Sequence, residues 1–435
     1  MVYSAAVIGT GSDPDEPGQD GYAMGYRHGH AYRRNDACEL VACSDIVPEN
    51  GRAFAREFGL EDAGVYEDYE AMLSAVEPDI VSVCVPPSIH ASIVIGCAES
   101  GVPQAIHCEK PMAETWADCQ EMVRACERAG IQLTINHQRR FGAPFREAKR
   151  LLDEGTIGDL RRIEVAEETL FDAGSHLFDL CGYYTEEAAI EWVLAQVDYR
   201  EENVWFGTPN ATQALSQWRY EDGTQGLART GASNPDGGCY LRLIGTDGSI
   251  EIGVEDGPTL RVRSDDNGWR TIGTGGETIH GWASPGYVGA AVRKLKERLP
   301  LVAPEDRSGN VFIERALADV VDAIGTDRTP ELAAERALRA TEVIFASWES
   351  ARRGGRVDLP LDIEDNPLVA MIEAGQLGPE EEASGGEADA DADFGADSDD
   401  DADADVDAGS GTDSDADSDE QTAAADGGES TSGAE

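Results

Sequence analysis

The chain has 435 residues, of which 34 are basic and 85 are acidic, and 41% are hydrophobic. This length predicts two domains plus additional segments rather than one core. No run of about 18 apolar residues occurs, which argues against a membrane-spanning helix, and the acidic charge argues against nucleic acid or an anionic membrane as a partner.

The first 137 residues alternate short apolar runs with helical patterns. The N-terminal MVYSAAVIGTG lacks the basic and apolar regions of a signal peptide and predicts a first strand instead. Strands separated by helices indicate βαβ units and a parallel, doubly wound sheet. Strands are predicted at 5–9, 39–44, 80–85, 104–108 and 131–135, and helices at 48–58 and 88–100.

A glycine-containing turn, Gly9-Thr10-Gly11, directly follows the first predicted strand. A dinucleotide-binding fold needs glycines there for a tight bend and for close approach of the pyrophosphate. The third glycine of this pattern is displaced to Gly25 by an insertion, and Asp45 closes the second strand, where an acid hydrogen-bonds the adenosine ribose. These residues predict NAD binding. The alternative is that the glycines only shape a turn and that Asp45 is a solvated strand-end acid.

The insertion itself carries four acids, which would repel a pyrophosphate, so we expect it to be a surface loop. Asp45 favours NAD over NADP because a carboxylate repels a 2′-phosphate. NADP remains an alternative cofactor, since the nearby Arg33 or Arg34 could reach its 2′-phosphate. The four acids are Asp13, Asp15, Glu16 and Asp20.

Two groups of residues could carry chemistry. Lys110, one of four lysines in the chain, follows the strand at 104–108, at the sheet edge that faces the ligand crevice; the alternative is a surface lysine. Asp172, His176 and Asp179 share one helical face, and an imidazole between two carboxylates can accept a hydroxyl proton as a hydride leaves the carbon. The alternative is an N-capping Asp172 with a satisfied core histidine.

From Leu160 onward the pattern changes to a strand at 161–168, a short helix, and runs in which apolar and polar residues alternate. Asp-Gly pairs at 222–223 and 247–248 are hairpin signals, so we expect an antiparallel meander with one covered face. Helices are predicted at 311–324 and 330–352, the second with Thr329 as N-cap, Pro330 at its first position and Gly354 beyond its end.

The charge is distributed unevenly. Residues 378–435 hold 22 acids and no Lys or Arg, which predicts a disordered acidic tail that is dispensable for folding and catalysis. The remainder still carries a net charge of −29, and its cations are nearly all Arg. A lysine-poor acidic surface predicts a halophilic protein in a salt-rich cytoplasm, and nine scattered cysteines predict reduced thiols in that compartment.

Seven fragments in this order make the chain resemble the Gfo/Idh/MocA oxidoreductases, which include glucose–fructose oxidoreductase and inositol dehydrogenase. The resemblance runs from Met1 to about Leu361. It implies an α/β fold with an N-terminal Rossmann domain (1–137), whose sheet is parallel and doubly wound, and a C-terminal α+β domain (138–365) with a mainly antiparallel sheet. The fragments are GTG…MGYRHGHAY, ELVACSD, VPPSIHA, HCEKP, NHQRRF, DAGSHLFDL and ALRATEVIFASWESARRG.

The resemblance implies an NAD(P)-dependent oxidoreductase that moves a hydride to or from a hydroxyl or keto carbon of a sugar or polyol, as a dimer or tetramer. Lys110, Asp172 and His176 would be catalytic, with the histidine as general acid/base and the lysine binding and polarising the reacting oxygen. No third ligand accompanies His28 and His30, so no metal site is expected. The implied cofactor-binding residues are Gly9, Thr10, Gly11, Gly25, Asp45, Pro86, His90, Glu109 and Lys110.

One departure from the family concerns the segment between the strand at 161–168 and Asp172. It is very short, where relatives carry a longer segment, rich in aromatic residues and glycine, that helps to enclose the substrate. The sequence therefore does not identify the substrate. A non-catalytic NAD-binding metabolite sensor or scaffold is an alternative, as is an enzyme acting on a nucleotide-linked sugar.

Overall fold

The computed structural model describes residues 2–12, 23–231, 238–264, 267–282 and 311–378. These residues all belong to one compact unit. The four acids of the glycine-loop insertion and the predicted acidic tail from 379 onward lie outside the described residues.

The first half of the chain forms a six-stranded parallel sheet in the order β3-β2-β1-β4-β5-β6. The strands are short apolar runs buried on both faces, as a sheet covered by helices on both sides requires. The predicted parallel, doubly wound sheet is confirmed, and the two-residue β3 escaped prediction because it is too short to show a pattern. The strands are β1 (Tyr3–Ile8), β2 (Cys38–Ser44), β3 (Val65–Tyr66), β4 (Ile80–Val83), β5 (Ala105–Cys108) and β6 (Gln132–Ile135).

Two of the helices between these strands begin at side-chain caps, after Asp68 and after Thr115. The fifth helix, for example, begins after Thr115, whose side chain accepts a hydrogen bond from the backbone N–H of Asp118, and ends at the left-handed Gly130. The helices are α1 (Met24–Arg33), α2 (Pro48–Phe58), α3 (Tyr69–Val76), α4 (His90–Ser100) and α5 (Trp116–Ala129).

The second half forms a nine-stranded sheet in the order β16-β15-β14-β13-β7-β12-β11-β8-β19. Its described strands pair antiparallel except for β7 with β12, so a mainly antiparallel sheet is confirmed. The predicted hairpins at 222–223 and 247–248 are confirmed, and β13, β14 and β15 pair in turn as an antiparallel meander. What the prediction missed is that β7, the first strand along the chain, lies between β12 and β13 and divides the sheet into two such parts. The strands are β7 (Leu160–Glu167), β8 (Ile190–Asp198), β11 (Gln213–Tyr220), β12 (Gln225–Gly231), β13 (Cys239–Gly245), β14 (Gly248–Val254), β15 (Leu260–Ser264), β16 (Asn267–Thr271) and β19 (Val357–Asp358).

Two small antiparallel ribbons stand apart from this sheet. One pairs β9 (Val204–Trp205) with β10 (Thr208–Pro209), and the other pairs β17 (Glu277–Thr278) with β18 (Gly281–Trp282). Both contribute residues to the cavity described below.

Helices of the second half pack on one face of the large sheet and also on the parallel sheet. The last long helix begins at Ala334 and not after Thr329 as predicted. The chain instead makes a turn in which Ala333 N donates to Pro330 O, and it contacts β6, where the carbonyl of Leu332 accepts a hydrogen bond from Ile135 N. Its predicted end at Gly354 is confirmed. The helices are α6 (Ala143–Asp153), α7 (Gly174–Tyr184), α8 (Val311–Ala323), α9 (Ala334–Arg353) and α10 (Pro367–Glu373).

The domain boundary at residue 137 stays a prediction, although the strands of the parallel sheet end at Ile135 and those of the second sheet begin at Leu160. All nine cysteines are free, as predicted. Within the described ranges, no helix has the length and apolar character needed to cross a membrane.

Candidate active site

A cavity of about 880 Å³ opens at the carboxyl ends of β1, β4 and β5 and at the beginning of α7. This edge of a doubly wound sheet is where ligands bind in open α/β folds. Gly11 and Pro86 line one part of the cavity, and Lys110, Asp172 and His176 line another. The two predicted groups of residues therefore meet in one space.

The glycine turn after β1 has the shape that a dinucleotide needs. Gly9 and Gly11 have φ values of 82° and 70°, a left-handed conformation that glycine adopts without strain. Gly25, in the first turn of α1, has no room for a side chain, because a Cβ there would lie 2.8 Å from Gly9 O and from Thr10 Cα. The beginning of α1 thus packs directly on the turn, which is the arrangement that brings a pyrophosphate to a helix N-terminus. These residues fit a dinucleotide.

Asp45 follows β2 and lies against the glycine turn. Its Oδ2 accepts hydrogen bonds from Gly11 N at 3.1 Å and from Thr10 Oγ1 at 3.0 Å. It is therefore not the free, solvated acid of the alternative interpretation. Arg33 and Arg34 end α1, which runs back toward the opposite edge of the sheet, and they form ion pairs with Glu57 and Glu314.

Glu109 is buried beside Lys110. Its Oε1 accepts a hydrogen bond from Asn136 Nδ2 at 2.6 Å and lies 2.9 Å from His28 Nε2, whose Nδ1 in turn lies 2.9 Å from Ser82 Oγ. Burial raises the pKa of Glu109, but the contacts with His28 and Asn136 outweigh it and lower the pKa to about 2. The carboxylate is ionised and fixes the turn that presents Lys110.

His90 is buried behind the cavity rather than on its lining. Its Nδ1 lies 2.9 Å from the carbonyl oxygen of Pro111 and its Nε2 lies 2.8 Å from that of Val85. The ring thus joins the loop after β4 to the loop after β5. Among the predicted cofactor residues, Gly11, Pro86, Glu109 and Lys110 line the cavity, and Gly9, Thr10, Gly25 and Asp45 shape the glycine turn beside it.

Lys110 is paired with Asp172. Its Nζ donates to Asp172 Oδ1 at 3.0 Å and lies 3.3 Å from the backbone oxygen of the same residue. Their side chains are only 19% and 9% exposed, which excludes a surface lysine. Asp172 precedes α7 and does not cap it; instead its backbone N–H donates to Asn210 Oδ1 at 3.2 Å.

His176 lines the cavity on the first turn of α7 and is 4% exposed. Its Nδ1 is enclosed and has no hydrogen-bond partner among the described residues, so Nε2 is the nitrogen available to a ligand. Burial lowers the pKa of His176 well below its usual value, and the nearby charges of Arg139 and Lys110 lower it further. The imidazole is therefore neutral and can accept a proton.

The prediction that the His176 imidazole lies between two carboxylates is wrong. Asp172 pairs with Lys110, while Asp179 is held by Arg140, with distances of 2.7 Å (Nε–Oδ2) and 2.9 Å (Nη2–Oδ1). Burial raises the pKa of Asp179, but Arg140 outweighs it and lowers the pKa to about 2. This buried pair joins α7 to the segment after β6 and so positions His176.

Several cavity residues were missed at the level of sequence. Arg139 follows β6 and its Nη1 lies 3.6 Å from Oε2 of Glu167, at the end of β7. Burial raises the pKa of Glu167 despite this arginine. Arg139 follows a strand and Glu167 ends one, and the motif NHQRRF could have drawn attention to Arg139. His280, between β17 and β18, carries no comparable signal.

Comparison with known proteins supports the fold and its family. Residues 18–137 match the family model described as the GFO_IDH_MocA oxidoreductase family with an NAD-binding Rossmann fold. The chain is 38% identical to D-apiose dehydrogenase of Paraburkholderia graminis over 34% of this chain and 38% of that protein. It is 30% identical to D-glucoside 3-dehydrogenase of Escherichia coli over 49% of this chain and 61% of that protein.

These matches span less than two thirds of the curated relatives. A crystal structure of the WlbA dehydrogenase from Bordetella pertussis, in complex with NADH and UDP-GlcNAcA, has the same fold, with a TM-score of 0.61 and 19% identity over 83% of this chain and all of that one. Residues 18–137 are thus similar to the NAD-binding domain of the Gfo/Idh/MocA oxidoreductases, and the chain shares the fold of this dehydrogenase.

Proposed function

We propose that this protein is an NAD-dependent oxidoreductase that transfers a hydride between the nicotinamide and a hydroxyl-bearing or keto carbon of a sugar or polyol. The observation that carries this proposal is the shared cavity: the glycine turn and the Lys110–Asp172–His176 group open on the same space. The related D-apiose and D-glucoside dehydrogenases act on sugars by name, which agrees with this reaction class.

The chain's own residues have distinct roles in this reaction. The Lys110 ammonium binds the reacting oxygen and stabilises negative charge on it as the hydroxyl proton leaves. His176 accepts that proton at Nε2, for which its neutral form is required. Asp172 holds the ammonium in place at 3.0 Å and offers its second carboxylate oxygen to a neighbouring hydroxyl.

The cofactor supplies the hydride acceptor when it is bound. Gly9, Gly11 and Gly25 would hold its pyrophosphate, and Asp45 its adenosine ribose. Asp45 favours NAD because a 2′-phosphate would be repelled by its carboxylate, and the cations that end α1 are engaged elsewhere. Catalysis in a salt-rich cytoplasm and assembly into a dimer or tetramer are further parts of the proposal.

The proposal is tested by turnover of the full chain in molar KCl. Sugars, polyols and nucleotide-linked sugars are screened with NAD⁺ and with NADP⁺ while NADH or NADPH absorbance is followed. We expect turnover of at least one neutral sugar or polyol, and loss of about 10²–10⁴ in rate for His176→Ala and Lys110→Ala, with NADH still bound as judged by fluorescence. Near-normal turnover in either variant would remove that residue from the mechanism.

The screen also separates the main rival function. A non-catalytic NAD-binding sensor would bind NADH and a sugar without oxidising any compound in the panel. The presence of Lys110, Asp172 and His176 together on the cavity lining favours the enzyme over this rival.

A further inference from the structure

The segment after β7 is too short to form the whole wall on the substrate side of the cavity. Only residues 168–173 connect β7 to α7. The wall is formed instead by the β9–β10 ribbon, whose Trp205 and Phe206 line the same cavity as Lys110 and His176. An aromatic, glycine-containing segment is therefore present, but it comes from a different part of the chain.

The ribbon is anchored to the catalytic residues. Asn210, which follows β10 and is fully buried, receives the Asp172 N–H at its Oδ1, and its own backbone N–H donates to Asn203 O at 2.8 Å. Thr208 Oγ1 donates to Glu114 Oε1 at 2.5 Å, near the turn that carries Lys110. These contacts fix the two aromatic residues relative to Asp172.

Phe206 occupies a costly position at the tip of the ribbon. It and Gly207 are the two central residues of the hairpin, with φ values of 52° and 86°. Positive φ at both positions is the pattern of a type I′ turn, in which Asn-Gly is the favoured pair and a bulky side chain at the first position is an outlier. Phe206 is also 44% exposed, so the ring does not serve the protein core.

We propose that Trp205 and Phe206 form the aromatic wall of the substrate site and pack against the C–H face of a ring-form sugar or cyclitol. This inference rests on the proposed function and specifies its substrate class. A six-membered polyol ring presents hydroxyls at its edge and C–H groups on its faces. The hydroxyls at the edge would be bound by Lys110, Asp172 and His176, and the C–H groups of one face would pack against the aromatic wall. A flexible acyclic polyol has no such preformed face.

The first test compares ring and acyclic substrates in molar KCl. For Trp205→Ala and Phe206→Ala we expect KM for myo-inositol and methyl β-D-glucopyranoside to rise about three- to tenfold each, with kcat within about twofold. KM for D-sorbitol should not change. Trp205→Phe should retain most of the affinity for ring compounds, and Trp269→Ala, which removes a 41% exposed tryptophan on the edge strand β16, should leave every constant unchanged.

The second test separates binding from folding. Phe206→Asn places a favoured residue in the turn, so the variant should melt at a higher temperature than the parent while binding ring compounds more weakly. Binding is followed without turnover, as quenching of protein fluorescence by the same two ring compounds in the presence of NADH. We expect this quenching in the parent, and its loss in Trp205→Phe.

The inference is overturned if the alanine variants leave KM for ring compounds unchanged, if they affect D-sorbitol equally, or if neither ring compound quenches the parent. It is also overturned if the variants alter the oligomeric state in light scattering but not KM, since the ribbon would then contact another copy. Failure of the proposed function gives a different result: the parent binds NADH and the ring compounds but oxidises none of them. In that case, fluorescence quenching that depends on Trp205 would still support the aromatic wall.

Discussion

Replacing Gly25 by alanine tests the fit of the glycine turn to its cofactor. In an ordinary helix this change stabilises by about 0.5–1 kcal/mol, because glycine loses more backbone entropy on folding. Here the new Cβ would lie 2.8 Å from Gly9 O, Thr10 Cα and Thr10 O. All three are backbone atoms, so no side chain can rotate away, and the helix and the turn must separate.

The size of the effect follows from these two opposing contributions. Overpacking a closed site costs about 1–3 kcal/mol, so Gly25→Ala should destabilise the fold by about 1 kcal/mol after the helix gain. The substitution should weaken NADH binding by more than it lowers the free energy of unfolding. A pyrophosphate needs the helix N-terminus and the turn together, so we expect the Kd for NADH to rise at least about tenfold.

The assay is a fluorescence titration with NADH alongside thermal melting. Gly29→Ala is the matched control: it lies in the same helix, but its Cβ would meet the rings of Phe58 and Phe54, 2.6 Å and 3.0 Å away, rather than the glycine turn. This control should also lose stability but keep the parent's affinity for NADH. Equal NADH affinity in the two variants would refute the assignment of Gly25 as the displaced third glycine.

Further predictions concern charge. Arg139→Gln should move the acid limb of the oxidation rate to higher pH, because after burial this arginine is the next cause of the low pKa of His176; an unmoved limb would contradict this. Asp179→Asn should cost about 1.5–3 kcal/mol in denaturant unfolding, since it removes a charged hydrogen-bond partner of buried Arg140 and leaves that arginine only Glu187 and Glu331; a cost under about 0.5 kcal/mol would oppose it. The stabilisation from ionised Asp179 should be complete above about pH 4 and be lost as the pH falls toward 2, because folding lowers its pKa from 3.8 to about 2. Asp45→Ser should narrow the preference for NAD over NADP in Kd measurements, and tighter binding of NADP by the parent would reverse the assignment.

The parallel sheet could be predicted because each of its longer strands is an apolar run bounded by helical patterns. The beginning of α9 could not be predicted, although Thr329 and Pro330 form a good local signal for a helix start. The competing interaction is tertiary: the carbonyl of Leu332 accepts a hydrogen bond from Ile135 N, some 200 residues earlier, and Ala333 bridges to Thr134, so the helix begins only at Ala334. The central position of β7 in the second sheet could not be predicted for the same reason. Hairpin signals indicate pairing between strands that are adjacent in sequence, and β7 pairs with strands that are not.

The candidate site shows a similar division. Lys110 was identifiable because it follows a strand at the ligand edge of the sheet. Its partner Asp172 was assigned to a helical face with His176 and Asp179, but it lies before the helix and turns toward a lysine 62 positions away. Asp179 is drawn to Arg140 instead. Helical periodicity identifies residues that share a face, and it carries no information on which distant charge each of them meets.

The electrostatics of the cavity explain why a lysine and a neutral histidine belong together. Arg139 and Lys110 disfavour a proton on His176, which by itself weakens the imidazole as a base. The same positive charge lowers the pKa of a hydroxyl bound beside it, because it stabilises the oxygen as the proton departs. The positive charge therefore lowers the proton affinity of both the substrate hydroxyl and His176, so the difference between their pKa values, which governs proton transfer, changes little. Excluding water from the cavity would strengthen both effects, so a wall over the substrate side contributes to the chemistry as well as to the choice of substrate.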